Sequence, residues 1–213
     1  NTVQYADDLG HFCLSSDTAA ATATCQDLGN AIVAWCDDWL LEINHKKCEV
    51  MHFRPDTRVI SRVKPIVYLR GEPVAVKDDV QYLGVRFYRM LKFHLHVAGI
   101  TTKLTSRCQA LNALSGTDWG CRREDLRQLF RAFVLPVATY CLGAWSAHLS
   151  EASIAKIDRC LLRGCRIITK LYRTCPVDAL RTEAAIPAFA TMCKRAVVLC
   201  QERSVRLPAA NPR

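Results

Sequence analysis

Twelve cysteines stand in the 213 residues, yet no two are spaced as CxxC, and the spacings of zinc-binding sets are missing around His94, His96 and Cys108. No basic-then-apolar leader opens the chain. A secreted disulfide scaffold is therefore not expected, and a reduced, intracellular protein is. Cys25 and Cys36, eleven apart within a helical pattern, share one face, as buried small hydrophobes do. Glycine (9) and proline (8) are sparse and nowhere clustered, which excludes collagen-like or low-complexity architecture and leaves no flexible linker. No internal repeat is visible. The longest uncharged run, Ala132 to Ser150, contains Pro136, Thr139, Ser146 and His148, so a buried helix followed by a turn is expected there and a membrane span is not.

What is present is an ordinary globular composition, half apolar and 23% charged, in a chain long enough for one large domain or two small ones. Its formal charge of +9 is unevenly spread. Residues 1–50 carry eight acids and two bases, and the remainder carries 27 bases and 12 acids. An acidic head on a basic body points to a metal or catalytic end joined to a surface that attracts polyanions.

The first hundred residues read as mixed α/β. Val3 to Leu14 forms two short apolar runs either side of Asp7-Asp8, a hairpin signature. Asp17 and Thr18 can cap a helix whose apolar positions Leu28, Ile32, Trp35, Trp39 and Leu40 recur at three and four, ending near Asn44. Strands are expected at Lys47–Phe53, Ile66–Arg70 and Val80–Tyr88. From about Phe93 the period turns helical. Leu104, Cys108, Leu111 and Leu114 form one stripe, and Leu126, Leu129, Phe130, Phe133 and Val134 another, kinked or ended by Pro136. Further helices are expected over Glu151–Tyr172, from Pro176, and over Phe189–Val205.

The sharpest feature is Tyr5-Ala6-Asp7-Asp8. Two adjacent carboxylates on a tight turn repel each other, and a divalent cation binding hard oxygen ligands relieves that repulsion. In nucleotidyl transfer, two such cations clamp the attacking and leaving oxygens. Asp is also common in hairpin turns, so the tetrapeptide alone leaves both readings open. The wider context is more specific. Gln4-Tyr5-Ala6-Asp7-Asp8-Leu9 resembles the catalytic YADD hairpin of reverse transcriptases, in the form used by non-LTR (LINE-type) retrotransposons. Asn44-His45-Lys46-Lys47-Cys48 is similar to that family's next block, and Tyr82-Leu83-Gly84-Val85 to its primer-grip hairpin. Phe93 with His96, Trp119-Gly120, Leu135-Pro136, Tyr140 and Trp145 resemble the helical region that follows the palm.

The resemblance implies an RNA-directed DNA polymerase. Asp7 would hold the catalytic Mg²⁺ pair, supported by Asp8, and Tyr5 would sit near the primer terminus or incoming dNTP. Lys47 would approach the triphosphate, and Tyr82, Leu83 and Gly84 would hold the primer strand. RNA template, DNA primer and RNA–DNA hybrid are the implied partners, with nuclear action by family analogy and no membrane. The family also uses a third carboxylate and fingers, both upstream of this hairpin. The chain is accordingly expected to be the distal part of a polymerase, its Mg²⁺ site completed by an upstream Asp of the same polyprotein, and not to polymerise alone. A catalytically dead, nucleic-acid-binding remnant is the alternative. The expected fold class is α+β: a partial palm of antiparallel strands with a long helix over residues 1–92, then a helical thumb and post-thumb region over 93–213.

The basic body has its own pattern. Lys156, Arg159, Arg163, Arg166, Lys170 and Arg173 recur at three and four and fall on one helix face. Ile154, Ile157, Leu161, Cys165, Ile168 and Tyr172 fall on the opposite one, and Asp158 is the only acid within the span. A solvated face is the plain reading. Six like charges with so little compensation repel one another unless a polyanion joins them, so contact with a nucleic-acid backbone is expected. Arg122, Arg123, Arg127 and Arg131 form a shorter cluster that is expected to line the same groove.

Overall fold

In the computed structural model, residues 2–53, 65–116 and 119–206 are described. The chain is α+β and divides by its internal packing into two units. One runs to Leu83 and includes Phe87–Leu91; the other comprises Gly84–Arg86 and the chain from Lys92 onward.

The first unit opens with an antiparallel hairpin of β1 (Thr2–Tyr5) and β2 (Asp8–His11). Tyr5 pairs with Asp8, so the loop is Ala6-Asp7, and Asp8 is already a strand residue rather than part of the bend. So short a loop needs left-handed backbone, and it falls on Ala6 (φ 52°), which costs a residue with a Cβ about 1–2 kcal/mol. The connection then enters α1 (Thr18–Asp38), where the Asp17 carboxylate accepts from the N–H groups of Ala19 and Ala20 at 3.1 and 3.2 Å. The helix ends at Asp38, short of Asn44.

The inner face of α1 runs through Cys25, Leu28, Gly29, Ile32 and Cys36. A Cβ on Gly29 would stand 3.1 Å from Leu69, and the Gln26 amide exchanges two 2.8 Å hydrogen bonds with the backbone of Tyr68. These seat α1 on β4 (Tyr68–Leu69). Trp35 and Trp39, expected on the buried stripe, lie outside it, with rings 6.5 Å apart and Trp39 67% exposed. With Cys36 at the centre of the inner face, Trp35 is turned about 100° away, and Trp39 follows the last helical residue.

The expected strand Lys47–Phe53 contracts to β3 (Glu49–Val50). His45–Lys47 form a 3-10 turn in which the Lys47 N–H donates to Asn44 at 3.0 Å. β4 returns as β5 (Glu72–Pro73), and β6 (Ala75–Val76) lies parallel to β3. With two residues to pair with on β6, the β3 ladder can go no further. The expected strand Val80–Tyr88 is folded in two, β7 (Asp79–Tyr82) and β8 (Val85–Tyr88). Leu83 and Gly84 at its tip both have positive φ, as do Arg70 and Gly71 between β4 and β5, the signature of tight two-residue hairpin loops.

The second unit is helical from α2 (His94–Ala113) onward. α3 (Arg123–Leu129) passes through a π-helical turn (Phe130–Val134) into α4 (Leu135–Thr139) and α5 (Leu142–Trp145). Leu126, Phe130, Val134, Ala138 and Leu142 are all buried at a strict spacing of four. An α-helix would rotate that row by about 40° at each step, and the wider π turn restores its alignment. Leu129 and Phe133, expected on the core stripe, are exposed for the same reason of register, and Leu114, expected on the stripe of α2, is exposed at the C-cap of that helix. Arg123–His148 has the length and hydropathy of a membrane span, but its apolar row is packed within this unit, and it breaks at Cys141 (φ 48°). α6 (Glu151–Thr169), capped by Ser150, packs Ile157, Leu161, Cys165 and Ile168 inward; α7 (Val177–Ala184) and α8 (Phe189–Arg206) complete the unit.

Candidate functional site

In the first unit, the β1–β2 tip presents Tyr5, Asp7 and Asp8 to solvent. Neither acid forms an ion pair among the described residues, and none joins Lys47 to them. Lys47 is exposed on its 3-10 turn rather than on a strand. The hairpin and the candidate primer-gripping residue Tyr82 meet on β2: a Cβ on Gly10 would stand 3.1 Å from the Tyr82 hydroxyl and 3.2 Å from Cζ. Glycine at that position is what lets the ring approach. The Tyr82 hydroxyl is buried with no hydrogen-bond partner among the described residues.

Asp7 and Asp8 supply hard oxygen ligands, but among the described residues no group of three acids, histidines or cysteines could hold a metal. Asp37 does not complete the set, because its carboxylate is paired with Arg70. His94, His96 and Cys108 form no metal set either. His96 is buried edge-on to Trp145 with ring centroids 5.0 Å apart, and its Nδ1 accepts from the Arg86 N–H at 3.3 Å. Burial, then the charge of Lys103, holds its pKa below the usual value. None of the twelve cysteines is in a disulfide, and burial pushes the thiols of Cys108, Cys165 and Cys193 up to about 11, so these three behave as core hydrophobes.

In the second unit the basic residues sort into two groups. Lys156, Arg159, Arg163 and Arg166 of α6, with Arg173 beyond it, line a cavity of about 880 Å³ whose wall includes Thr101 of α2, Cys160 and Leu171. None of these five cations makes an ion pair among the described residues. Asp158, the acid within the row, faces the other way, accepting from the Arg181 guanidinium and, at 2.9 Å, from the Phe189 N–H. Its charge is thus matched away from the cavity.

The sixth predicted cation leaves the row. Lys170 takes the left-handed C-cap position (φ 55°), and its Nζ donates to the Gly116 carbonyl. The shorter cluster does not line the groove. Arg123 pairs with Glu183, Arg127 donates to the carbonyls of Ala184 and Glu183, and Arg131 donates to that of Ala185. Arg127 and Arg131 satisfy open carbonyls at the negative end of α7, a favourable place for cations. Tyr172, expected inside, is 87% exposed. Helical periodicity could not place it, because α6 ends three residues earlier.

No family model and no solved structure matches the chain. Among curated proteins it is 25% identical over 165 residues to the "Probable RNA-directed DNA polymerase from transposon BS" of Drosophila melanogaster, covering 78% of this chain and 18% of that protein. It is 26% identical over 154 residues to the "RNA-directed DNA polymerase from mobile element jockey" of Drosophila funebris, covering 70% and 16%. A "Retrovirus-related Pol polyprotein from type-1 retrotransposable element R1 2" of Nasonia vitripennis is 35% identical over 97 residues, 42% of this chain and 24% of that protein. The chain spans less than a quarter of the length of each of these relatives. It is related, over most of its own length, to the RNA-directed DNA polymerases of non-LTR retrotransposons.

Proposed function

We propose that the chain is a segment of a non-LTR retrotransposon reverse transcriptase, the distal part of the palm followed by the thumb. In this reading the complete protein extends a DNA primer on an RNA template and acts in the nucleus, and this segment alone does not polymerise. The observation that carries the reading is the hairpin: two adjacent exposed acids, Asp7 in a strained two-residue loop and Asp8 at the start of β2, without ion-pair partners among the described residues, and with Tyr82 packed on the same strand pair. Backbone strain held at a turn that bears acids is typical of functional sites.

Asp7 and Asp8 are the residues of this chain that would hold Mg²⁺, which supplies charge stabilisation to an in-line displacement. The described residues are two ligands and no more, so the metal site is shared with an acid elsewhere in the polyprotein. Lys47, exposed and without an ion-pair partner among the described residues, would approach the triphosphate. Tyr5 lies beside the acids, and Leu83-Gly84, with Tyr140 lying 3.3 Å from where a Gly84 Cβ would stand, form the tip that would hold the primer. The cationic row on α6, whose one acid, Asp158, is matched away from the cavity, supports contact with the phosphate backbone, which positions a nucleic acid without reading its sequence.

The test is dNTP incorporation on a primed RNA template by a full-length polymerase carrying this segment. Asp7→Ala is expected to lower it by at least about a thousandfold, several kcal/mol of charge stabilisation, with primer–template binding retained. Incorporation that survives the change would reject Asp7 as a metal ligand, and a parent that binds primer–template without incorporating dNTP would leave the alternative, a binding remnant.

A further inference from the structure

Two features of the second unit adjoin in the chain. One is the five-cation cavity; the other is Tyr172, which sits in the chain between Leu171 and Arg173, both of them cavity residues. At 87% exposure its ring makes almost no contribution to the core. The left-handed turn at Lys170, held by the bond to Gly116, ends the helix before Tyr172 and turns the following residues off the buried face. Tyr172 does not itself line the cavity, but it is an exposed aromatic residue flanked in the chain by two residues that do.

We propose that this cavity and Tyr172 together form a binding site for single-stranded nucleic acid, with phosphates among Lys156, Arg159, Arg163, Arg166 and Arg173 and an unpaired base stacked on Tyr172. The inference rests on the reading that the α6 cations contact a nucleic-acid backbone, and it adds the strandedness of the partner and a residue that contacts its bases. Two physical arguments favour a single strand. The cations surround a concavity, which admits one backbone. A base can stack on a side chain only where its face is free, and in a duplex both faces are covered by neighbouring pairs. Cationic grooves with exposed aromatic platforms are the usual construction of sequence-tolerant single-strand sites.

The experiment is fluorescence anisotropy of the whole chain with a labelled single-stranded RNA about twelve nucleotides long, within the usual range of such sites, compared with a blunt RNA–DNA hybrid of the same length. Five neutralised phosphates give the single strand a slope of about −3.5 in log K against log salt between about 50 and 200 mM. Tyr172→Ala is expected to weaken single-strand binding roughly 5- to 140-fold, the effect of losing one stacked base, and to change hybrid binding less than about twofold. Tyr172→Phe is expected to bind like the parent. Tyr172 is exposed, so these variants test binding rather than folding. Equal loss for strand and hybrid, or no loss for either, overturns the stacking site while leaving the cationic row in place. If Arg159→Ala with Arg163→Ala changes binding to neither ligand, the underlying reading of α6 fails.

Discussion

Gly164 of α6 faces the ring of Phe130 in the π-helical turn. A Cβ there would stand 2.0 Å from Cε2 of Phe130 and 2.8 and 2.9 Å from two further ring atoms, where ordinary contact begins at 3.4 Å. Phe130 is fully buried, as are Leu126 and Val134 one turn to either side, so the ring has nowhere to go. Gly164→Ala therefore sets two effects against each other. Alanine gains about 1 kcal/mol of helix propensity over glycine. Overpacking a well-filled core costs about 1–3 kcal/mol, and occasionally more. A shortfall of well over an ångström against a trapped ring belongs at the upper end, leaving a net loss of about 2 kcal/mol. In urea denaturation, with a slope of about 2 kcal/mol/M, the midpoint is expected to fall by roughly 1 M with the slope unchanged. Gly99→Ala on α2 is the matched control. It is exposed, nothing lies within 4 Å of its Cβ position, and it is expected to raise stability by up to about 1 kcal/mol. A Gly164→Ala midpoint equal to or above the parent's would refute the close approach of α6 to the π turn.

Two further outcomes follow from the second unit. His96 is neutral in the folded state, with a pKa below its unfolded value, so its contribution is complete above about pH 6.5 and is lost as pH falls toward the folded value. The melting temperature is expected to decline between pH 7 and 5 less steeply in His96→Gln than in the parent; identical slopes would show that another group, His11 being the candidate, carries the acid sensitivity. Asp158→Ala removes the partner of Arg181, whose side chain is only 12% exposed, and is expected to cost about 3–5 kcal/mol in chemical denaturation. Replacing both by Leu and Met should recover much of that loss, and a double variant no better than the single one would show that the pair was not acting as a charge pair.

The sequence by itself determined the features that depend on neighbours within a turn or two. The Asp17 cap, the hairpin around Ala6-Asp7, the buried face of α6 from Ile157 to Ile168 and the core role of Cys108 and Cys165 are each set by local spacing and by a side chain's aversion to water. Tertiary structure alone decided which charges are free. Arg123 and Arg131 look in sequence like Arg159 and Arg163, yet their partners lie 54 to 60 residues away, at the end of α7. Lys170 keeps the period of the row and still leaves it, because the carbonyl that claims it is 54 residues distant. The outward turn of Trp39 and Tyr172 had the same origin, since each follows a helix end set by a left-handed residue or a cap rather than by the apolar repeat. Periodicity assigns a side chain to a face. Whether that face meets a carboxylate, a carbonyl or water depends on chain brought in from far away.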